Sequence, residues 1–304
     1  MVTRSPVSVL LPTTRWTDAC EEVTAQFRDG DELLVIHDDG EDPVAARTDV
    51  PDGVRLVSAG EPEGCSGKAN AIAAGMDVAR HDRVVWTDDD FHHPPDWLDT
   101  LVADYERHGP TSEVPYFVGR DPLAVLLEPM LASAGSLGIY LLDRIWGGAV
   151  VFERDDVDEA AFLDELRRTV SDDALLGEHL DVTTPRRTHL VPAGGTVRQT
   201  VERVVRWTTI IWRHDPGAIA GTGLILLLML AGAVLVPLYA VVALTAFHLA
   251  VNEVLGVRRW TALLAYPAVF AFVPLVLYGL ARRTFVWGGR RYRWRSKFDV
   301  EVVE

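Results

Sequence analysis

The sequence predicts an α/β fold with a mostly parallel sheet, followed by C-terminal membrane-spanning helices. In the first two thirds of the chain, short apolar runs of strand length alternate with amphipathic stretches of helix length. This alternation indicates βαβ units, which build a Rossmann-like sheet with helices on both faces. Beyond residue 217 the chain becomes strongly apolar. The two parts are therefore expected to face different solvents.

The individual elements follow in order from this pattern. Strands are predicted at 7–11, 33–36, 54–57, 84–86 and 148–152, and helices at 16–28, 69–80 and 157–169. The sequence Pro-Asp-Trp-Leu at 95–98 predicts a turn into a further helix, and Asp172 is expected to begin a short one. A proline-containing stretch, 109–129, precedes the last predicted strand.

The charge distribution separates the same two parts. Residues 1–216 hold 40 acidic and 20 basic side chains, whereas 217–304 hold 4 and 9, and Lys68 and Lys297 are the only lysines. A strongly acidic, lysine-poor surface suits high salt, which screens self-repulsion, so we expect a halophilic host. An acidic domain that merely avoids nucleic acid is the alternative. Under either interpretation the basic patch of a nucleic-acid-binding protein is missing.

Cysteine usage and the N-terminus favour a cytosolic setting. Cys20 and Cys65 are the only cysteines, and their spacing matches neither a zinc cluster nor a disulfide framework. Residues 1–6 lead into the first apolar run without the charged and apolar regions of a signal peptide.

The C-terminal part predicts a multi-pass membrane protein. Residues 218–251 carry no charged side chain, and a helix of that length would measure about 51 Å, against roughly 30 Å of hydrocarbon. We expect Pro237 to divide this stretch, and 261–281 to form another span. Arginines flank both ends, which predicts a cell-membrane protein with its N-terminal domain facing the cytoplasm. We therefore expect an even number of crossings, with one apolar piece either re-entrant or fused into a tilted helix.

Carboxylates follow two predicted strands directly, at the edge where parallel sheets bind ligands. Asp38 and Asp39 follow 33–36, and the triplet that begins at Asp88 follows 84–86. Asp88 and Asp90, one residue apart, could hold manganese or magnesium while leaving positions for phosphate oxygens. Acidic doublets recur in this chain, so a solvated surface triplet is the alternative. His92 and His93 are not expected as ligands, because imidazole favours softer metals.

The glycine-rich stretch before Lys68 is not a P-loop. Position 62 is Pro where that motif needs its first Gly, and Ala69 stands where it needs Ser or Thr. We predict a loop that delivers Lys68 to an anionic ligand. The alternative is an ordinary residue at the start of a helix.

Two later motifs could complete a site for group transfer. Asp173 could take a proton from an acceptor hydroxyl as general base, although Asp172 and Asp173 could also simply cap a helix. Arg203 and Arg206 share a helix face beside Trp207, which suits binding of a diphosphate and an acceptor. The alternative is a membrane anchor with an interfacial tryptophan.

Taken in order, these motifs resemble the family-2 glycosyltransferases of GT-A fold, and among them the ceramide glucosyltransferases. That branch carries three separated aspartate motifs and then (Gln/Arg)-x-x-Arg-Trp, which here are Asp38/Asp39, Asp88 with Asp90, Asp173, and Arg203-Val-Val-Arg206-Trp207. The resemblance covers nearly the whole chain. It implies that a divalent cation, manganese or magnesium, and a UDP-sugar donor are bound.

The resemblance also implies roles for single residues. Pro12, Thr13 and the Asp38/Asp39 pair would approach the uracil or its ribose, and Lys68 and Asp88 would lie near the nucleotide. Asp88 and Asp90 would hold the metal, and Asp173 would be the catalytic base. Arg203, Arg206 and Trp207 would form a lid over the diphosphate and the acceptor.

We therefore expect an inverting transfer of a hexose from UDP-glucose or UDP-galactose to a lipid hydroxyl at the bilayer. The predicted parts are a cytosolic catalytic domain at 1–197, an interfacial segment at 198–216, transmembrane helices at 217–283 and a basic cytosolic tail at 284–304. One alternative is a polyprenyl phosphate sugar synthase, whose acceptor is already an anion and needs no base. A second is a non-catalytic membrane scaffold.

Overall fold

A computed structural model describes residues 4–303. Residues 1–3, where the expected N-terminal segment starts, and residue 304, the end of the predicted tail, lie outside the described residues. The strands are β1 Ser8–Pro12, β2 Glu32–His37, β3 Val54–Ser58, β4 Arg83–Thr87, β5 Thr111–Ser112, β6 Val114–Gly119, β7 Ala149–Glu153, β8 Thr188–Ala193, β9 Thr284–Trp287, β10 Arg290–Ser296 and β11 Asp299–Val302. The helices are α1 Asp18–Thr24, α2 Gly67–Val78, α3 Trp97–His108, α4 Pro122–Leu131, α5 Leu137–Leu141, α6 Glu159–Leu166, α7 Asp172–His179, α8 Val197–His214, α9 Pro216–Leu235, α10 Pro237–Val254 and α11 Ala265–Ala281.

A six-stranded sheet confirms the predicted mostly parallel α/β fold. Its order is β3-β2-β1-β4-β7-β5; the first four strands are parallel, and β7 and β5 run antiparallel to their neighbours. β2 and β4 are buried along their whole length, as expected for parallel strands covered on both faces. In register, Val9 of β1 lies between Leu33 and Val85.

Helices α2, α6 and α7 pack with this sheet around one apolar core. Trp86 of β4 contacts Phe152 edge to face, with ring centroids 5.3 Å apart, and stacks on Phe162 of α6 at 6.0 Å. Gly75 lets α2 approach the sheet closely, because a Cβ there would lie 2.4 Å from Ile36 Cδ1. The sheet edge that carries the acidic residues is thus held by the close packing of these helices on the sheet.

The chain forms two compact units that interleave along the sequence. Of the described residues, the first unit contains the six-stranded sheet and comprises 4–113, 143–185 and 296–302; the second comprises 114–142, 186–295 and 303. In the second unit β6 and β8 pair in parallel, and β9 pairs antiparallel with β10. The predicted domain boundaries at 197, 216 and 283 stay predictions.

Four helical segments of the second unit are long and apolar enough to cross a membrane. α9 ends at Leu235 and α10 begins at Pro237, so proline divides the long apolar stretch as predicted. The segment Trp260–Ala281 matches the other predicted span, whereas Pro122–Leu141 falls in the stretch for which no helix was predicted. The number and direction of crossings stay predictions.

Candidate active site

The first unit brings several predicted site residues to one edge of its sheet. Pro12 ends β1 and Thr13 follows it, while Asp38 follows β2 and Asp88 follows β4. The amide of Thr13 donates to the Ile36 carbonyl at 2.8 Å. The Thr13 hydroxyl donates to Asp89 Oδ2 at 2.6 Å, a contact that the sequence did not suggest. The carboxyl ends of three adjacent parallel strands therefore present their polar groups together.

The turn after β2 is stabilised by its own side chains. Asp42 Oδ2 accepts hydrogen bonds from the amides of Asp38 at 2.8 Å and Asp39 at 3.2 Å. Asp39 Oδ1 accepts from the amide of Glu41 at 2.6 Å. Asp38 and Asp39 are both half-buried, and which of them would contact a nucleotide stays a prediction.

Lys68 lies in the first turn of α2, where a single serine sets its position. Ser66 caps the helix by accepting from the amide of Ala69 at 3.1 Å, and its hydroxyl donates to the Val170 carbonyl at 2.7 Å. The Ser66 amide also donates to the Thr169 carbonyl at 3.1 Å. The start of α2 is therefore tied to the segment that leads into Asp172.

A buried cluster of one lysine and several carboxylates results from this tie. Lys68 Nζ lies 2.6 Å from Asp88 Oδ1 and 3.3 Å from Asp172 Oδ2, and the side chain of Asp172 is 3% exposed. We call Lys68, Asp88, Asp172 and the adjacent Asp173 the lysine-carboxylate cluster. It contains three carboxylates and one ammonium group, so negative charge is in excess.

Burial and charge shift the pKa values within this cluster. Burial alone would lower the pKa of Lys68, but the attraction of Asp172 and Asp88 raises it above its usual value. Burial raises the pKa of Asp172 to about 6, against the opposing effect of Lys68. Burial likewise raises the pKa of Asp88 despite Lys68. The ammonium form is thus favoured, while the excess carboxylates favour a proton or a second cation.

Gly147 gives the cluster the space it needs. Its carbonyl accepts from Lys68 Nζ at 3.3 Å. A Cβ at this position would lie 2.6 Å from Asp172 Oδ2 and 3.3 Å from Lys68 Nζ. A side chain here would displace the Asp172 carboxylate, so glycine preserves the observed arrangement of the cluster.

Asp173 is oriented at the start of α7. Ser171 caps this helix, and its hydroxyl donates to Asp173 Oδ1 at 2.6 Å; the amide of Ala174 donates to the same oxygen at 2.7 Å. Asp173 Oδ2 makes no hydrogen bond with residues 4–303 and is available to an acceptor proton. This geometry suits a general base.

A buried hydrogen-bond network lies behind Asp88. Thr87 Oγ1 donates to the Gly148 carbonyl at 3.0 Å, and it therefore accepts from Nε2 of His93 at 2.7 Å. The amide of Asp88 donates to the same carbonyl at 3.3 Å. Glu22 Oε2 accepts from the amide of His93 at 2.8 Å and lies 3.5 Å from its Nδ1. His93 thus supports the acidic loop, a role that its position three residues after Asp90 could have suggested.

The carboxylates of Asp88 and Asp90 suit a hard divalent cation only if oxygens of the substrate complete its coordination. The described part of the chain has no cluster of three or more His, Cys, Asp or Glu able to hold a metal. Asp88 is half-buried beside Lys68, and Asp90 is exposed. The excess of carboxylate oxygens fits Mg²⁺ or Mn²⁺, which usually bind one or two protein carboxylates plus phosphates and water.

The second unit contains the predicted Arg-x-x-Arg-Trp segment, on α8. Arg203 lies over the rings of Phe117 and Trp207, at 5.9 and 5.6 Å, and these two rings are 4.6 Å apart. Arg206 lies 4.1 Å from the ring of Trp287 in β9. Both guanidinium groups thus contact aromatic rings of their own unit, consistent with cation–π attraction.

A parallel sheet that presents carboxylates and one lysine at its strand ends is the arrangement of a nucleotide-binding α/β enzyme. The chain belongs to glycosyl transferase family 21, whose sequence profile matches residues 44–299. The predicted enzyme class, a glycosyltransferase, is therefore confirmed, whereas the ceramide glucosyltransferase branch stays a prediction. No curated protein matches the chain in sequence.

Several solved structures resemble the chain at low identity. A mycobacterial protein has 18% identity and a TM-score of 0.40, and the match covers 67% of this chain and 74% of that chain. Glucosyl-3-phosphoglycerate synthase from Mycobacterium tuberculosis, in complex with Mn²⁺, UDP-glucose and phosphoglyceric acid, has 22% identity and a TM-score of 0.35, covering 50% and 57%. The same protein with Mg²⁺ and UDP has 17% identity and a TM-score of 0.42, covering 67% and 79%. Similarity at this level does not assign a substrate to the chain.

Proposed function

We propose that this chain is a membrane-bound inverting glycosyltransferase that moves a hexose from a UDP-sugar to a lipid hydroxyl. The lysine-carboxylate cluster is the observation that carries the proposal. It supplies a cation beside the strand ends and a carboxylate with one unbonded oxygen in the adjacent helix turn. The candidate membrane-spanning helices support a lipid acceptor and a cell-membrane location. The arginines that flank these helices favour a catalytic domain on the cytoplasmic side.

Each residue of the cluster has a distinct part in the proposed transfer. Asp173 Oδ2 takes the proton of the acceptor hydroxyl, the acceptor oxygen attacks the anomeric carbon, and the bond from that carbon to the diphosphate oxygen breaks with its electron pair. Lys68 attracts the negative charge of the donor diphosphate. Asp172 and the Gly147 carbonyl keep the ammonium group in place.

A divalent cation is proposed as cofactor, with Asp88 and Asp90 as its protein ligands. When bound, it would neutralise the charge of the departing UDP. Pro12, Thr13 and the Asp38/Asp39 pair are proposed to contact the uridine, by their place at the same sheet edge. From the motif, Arg203, Arg206 and Trp207 are proposed to bind the diphosphate and the acceptor.

The acceptor is the part of the proposal that one variant can test. Membranes that contain the chain are incubated with labelled UDP-glucose, UDP-galactose or GDP-mannose, and the lipids are extracted with and without mild acid. We expect an acid-stable labelled lipid, with a UDP-sugar as donor. Asp173→Asn should lower the rate by a factor of about 10² to 10⁴, the usual contribution of a general base.

Asp164→Asn is the matched control, because Asp164 is an exposed residue of α6 that pairs only locally with Arg168. An acid-labile product formed at an unchanged rate by Asp173→Asn would point instead to a polyprenyl phosphate acceptor. If UDP bound without any dependence on manganese and no lipid became labelled, the non-catalytic scaffold would be favoured.

A further inference from the structure

A cavity of about 340 Å³ opens in the second unit between the end of α10 and the start of the segment Trp260–Ala281. Its lining includes Asn252, Glu253, Arg258 and Arg259. α10 and Trp260–Ala281 are both long and apolar enough to cross a membrane. The cavity therefore lies where two candidate spans meet a short polar connection, and none of its residues belongs to the lysine-carboxylate cluster.

The polar floor of the cavity is well ordered by hydrogen bonds. Asn252 accepts from the Tyr116 hydroxyl at 2.9 Å, and its side-chain amide donates to the Arg259 carbonyl at 3.3 Å. The backbone carbonyl of Asn252 accepts a hydrogen bond from the amide of Val257 at 2.8 Å. Gly256 makes the turn with a φ of +69°, in the region that favours glycine. The connection is thus held in one conformation before any ligand binds.

The two adjacent arginines differ in what they contact. Arg259 forms a two-point ion pair with the buried Glu128, with N–O distances of 2.7 and 3.0 Å. Glu128 is satisfied further by the hydroxyl of Thr261 at 2.5 Å and the amide of Gly119 at 3.1 Å. Arg258 is exposed and makes no hydrogen bond or ion pair with the described residues. One guanidinium group is therefore available at a preformed cavity.

We propose that this cavity binds the phosphate of a membrane-lipid headgroup, with Arg258 as the phosphate ligand. A guanidinium group offers donors in a geometry that matches phosphate oxygens. Trp260, which is 61% exposed, lies beside it, as tryptophans do at the membrane interface. Leu249, which lines the cavity, and Leu263, which follows Trp260 by three positions, are 50% and 62% exposed and provide apolar surface for the acyl chains. Glu253 is the one carboxylate in the lining, and it opposes an anionic ligand.

Binding of short-chain phosphatidylglycerol to the full chain in a neutral detergent, followed by native mass spectrometry, tests the proposal. Arg258→Gln should weaken binding by about tenfold or more, the effect of one hydrogen bond between charged groups. Glu253→Gln should strengthen it, because a repulsive charge is removed. Arg198→Gln, which removes another exposed arginine, in the first turn of α8, should leave the affinity unchanged.

Two further ligands distinguish the source of the phosphate. Diacylglycerol with the same acyl chains lacks the phosphate, and inorganic phosphate lacks the lipid; both should bind more weakly than phosphatidylglycerol. The proposal is overturned if either binds as tightly, if Glu253→Gln weakens phosphatidylglycerol binding, or if Arg198→Gln costs as much affinity as Arg258→Gln. No sugar donor is present, so the outcome is independent of the proposed catalytic function.

Discussion

Each unit pairs a partly buried cation with at least one buried carboxylate, and the two arrangements differ in charge balance. In the first unit Lys68 faces Asp88, Asp172 and Asp173, so three carboxylates surround one ammonium group. In the second unit Glu128 and Arg259 form a one-to-one pair with further hydrogen bonds. An unbalanced buried cluster keeps an affinity for added cations or protons, whereas a balanced pair is complete. The difference indicates a binding site in one unit and a structural contact in the other.

The largest expected effect comes from removing the cation of the unbalanced cluster. Lys68→Met should lower kcat/KM for the UDP-sugar by a factor of about 10² to 10³, because the charge proposed to attract the diphosphate is lost. Initial rates of lipid labelling measure this. Lys297→Met is a suitable control, since Lys297 is the only other lysine and pairs with Glu178. Equal losses in both variants would contradict a specific role for Lys68.

Breaking the balanced pair should instead affect folding. Glu128→Gln leaves the Arg259 charge uncompensated and should lower the free energy of unfolding by about 3 kcal/mol. Adding Arg259→Gln should recover part of this loss, because both charges are then gone. Thermal unfolding of the full chain in detergent measures both variants. If the double variant were less stable than the sum of the two single effects predicts, the pair would not be the self-contained contact described above.

The raised pKa of Asp172 predicts that the stability of the first unit depends on pH. Between about pH 4, near the pKa of an exposed aspartate, and about pH 6, its pKa here, folded Asp172 holds a proton that the unfolded chain has lost. Stability contributed by this proton therefore falls as the pH rises across that window, by at most about 3 kcal/mol. Asp172→Asn should remove this component, so the difference in melting temperature from wild type should change between pH 4 and 6 and then level off. A difference that stays constant with pH would exclude the raised pKa.

The smallest expected effect tests the network behind Asp88. Thr87→Val keeps the shape but removes the hydroxyl that joins His93 to the Gly148 carbonyl, which should cost about 2 kcal/mol of unfolding free energy. The KM for the UDP-sugar should rise as the acidic loop loses its support. Thr87→Ser, which keeps the hydroxyl, should restore most of both quantities. A Thr87→Ser variant as impaired as Thr87→Val would show that packing, and not the hydrogen bonds, positions the loop.

The first unit was largely predictable because local patterns determine where its polar residues lie. A strand of Val, Leu or Ile followed directly by Asp places the acid at the carboxyl edge of a parallel sheet, whichever helix covers it. Asp38 and Asp88 were found by this rule. The hydrogen bond from Ser66 to the Val170 carbonyl could not be predicted from the sequence, because the two residues lie 104 positions apart. The burial of Asp172 and its close approach to Gly147 likewise involve residues that are distant in the sequence.

The second unit was less predictable because its contacts join distant helices. The helical segment Pro122–Leu141 was missed, as prolines at 122 and 129 and the charge of Glu128 obscured its apolar character. Pro122 is tolerated because it occupies the first turn, where its missing amide has no helical partner. Glu128 and Arg259 are 131 positions apart, so no local pattern links them. The halophilic host inferred from composition stays a prediction.

Ser66 couples the start of α2 to the segment that precedes α7. One hydroxyl both starts α2 and fastens the backbone at Val170, so the lysine and the aspartates of α7 cannot separate while that serine is in place. A local opening of residues 169–173 would free the start of α2 and separate Lys68 from the aspartates of α7. We expect this opening at a lower temperature than the unfolding of the sheet. Loss of nucleotide affinity on warming should therefore precede, and not accompany, the melting of the strands.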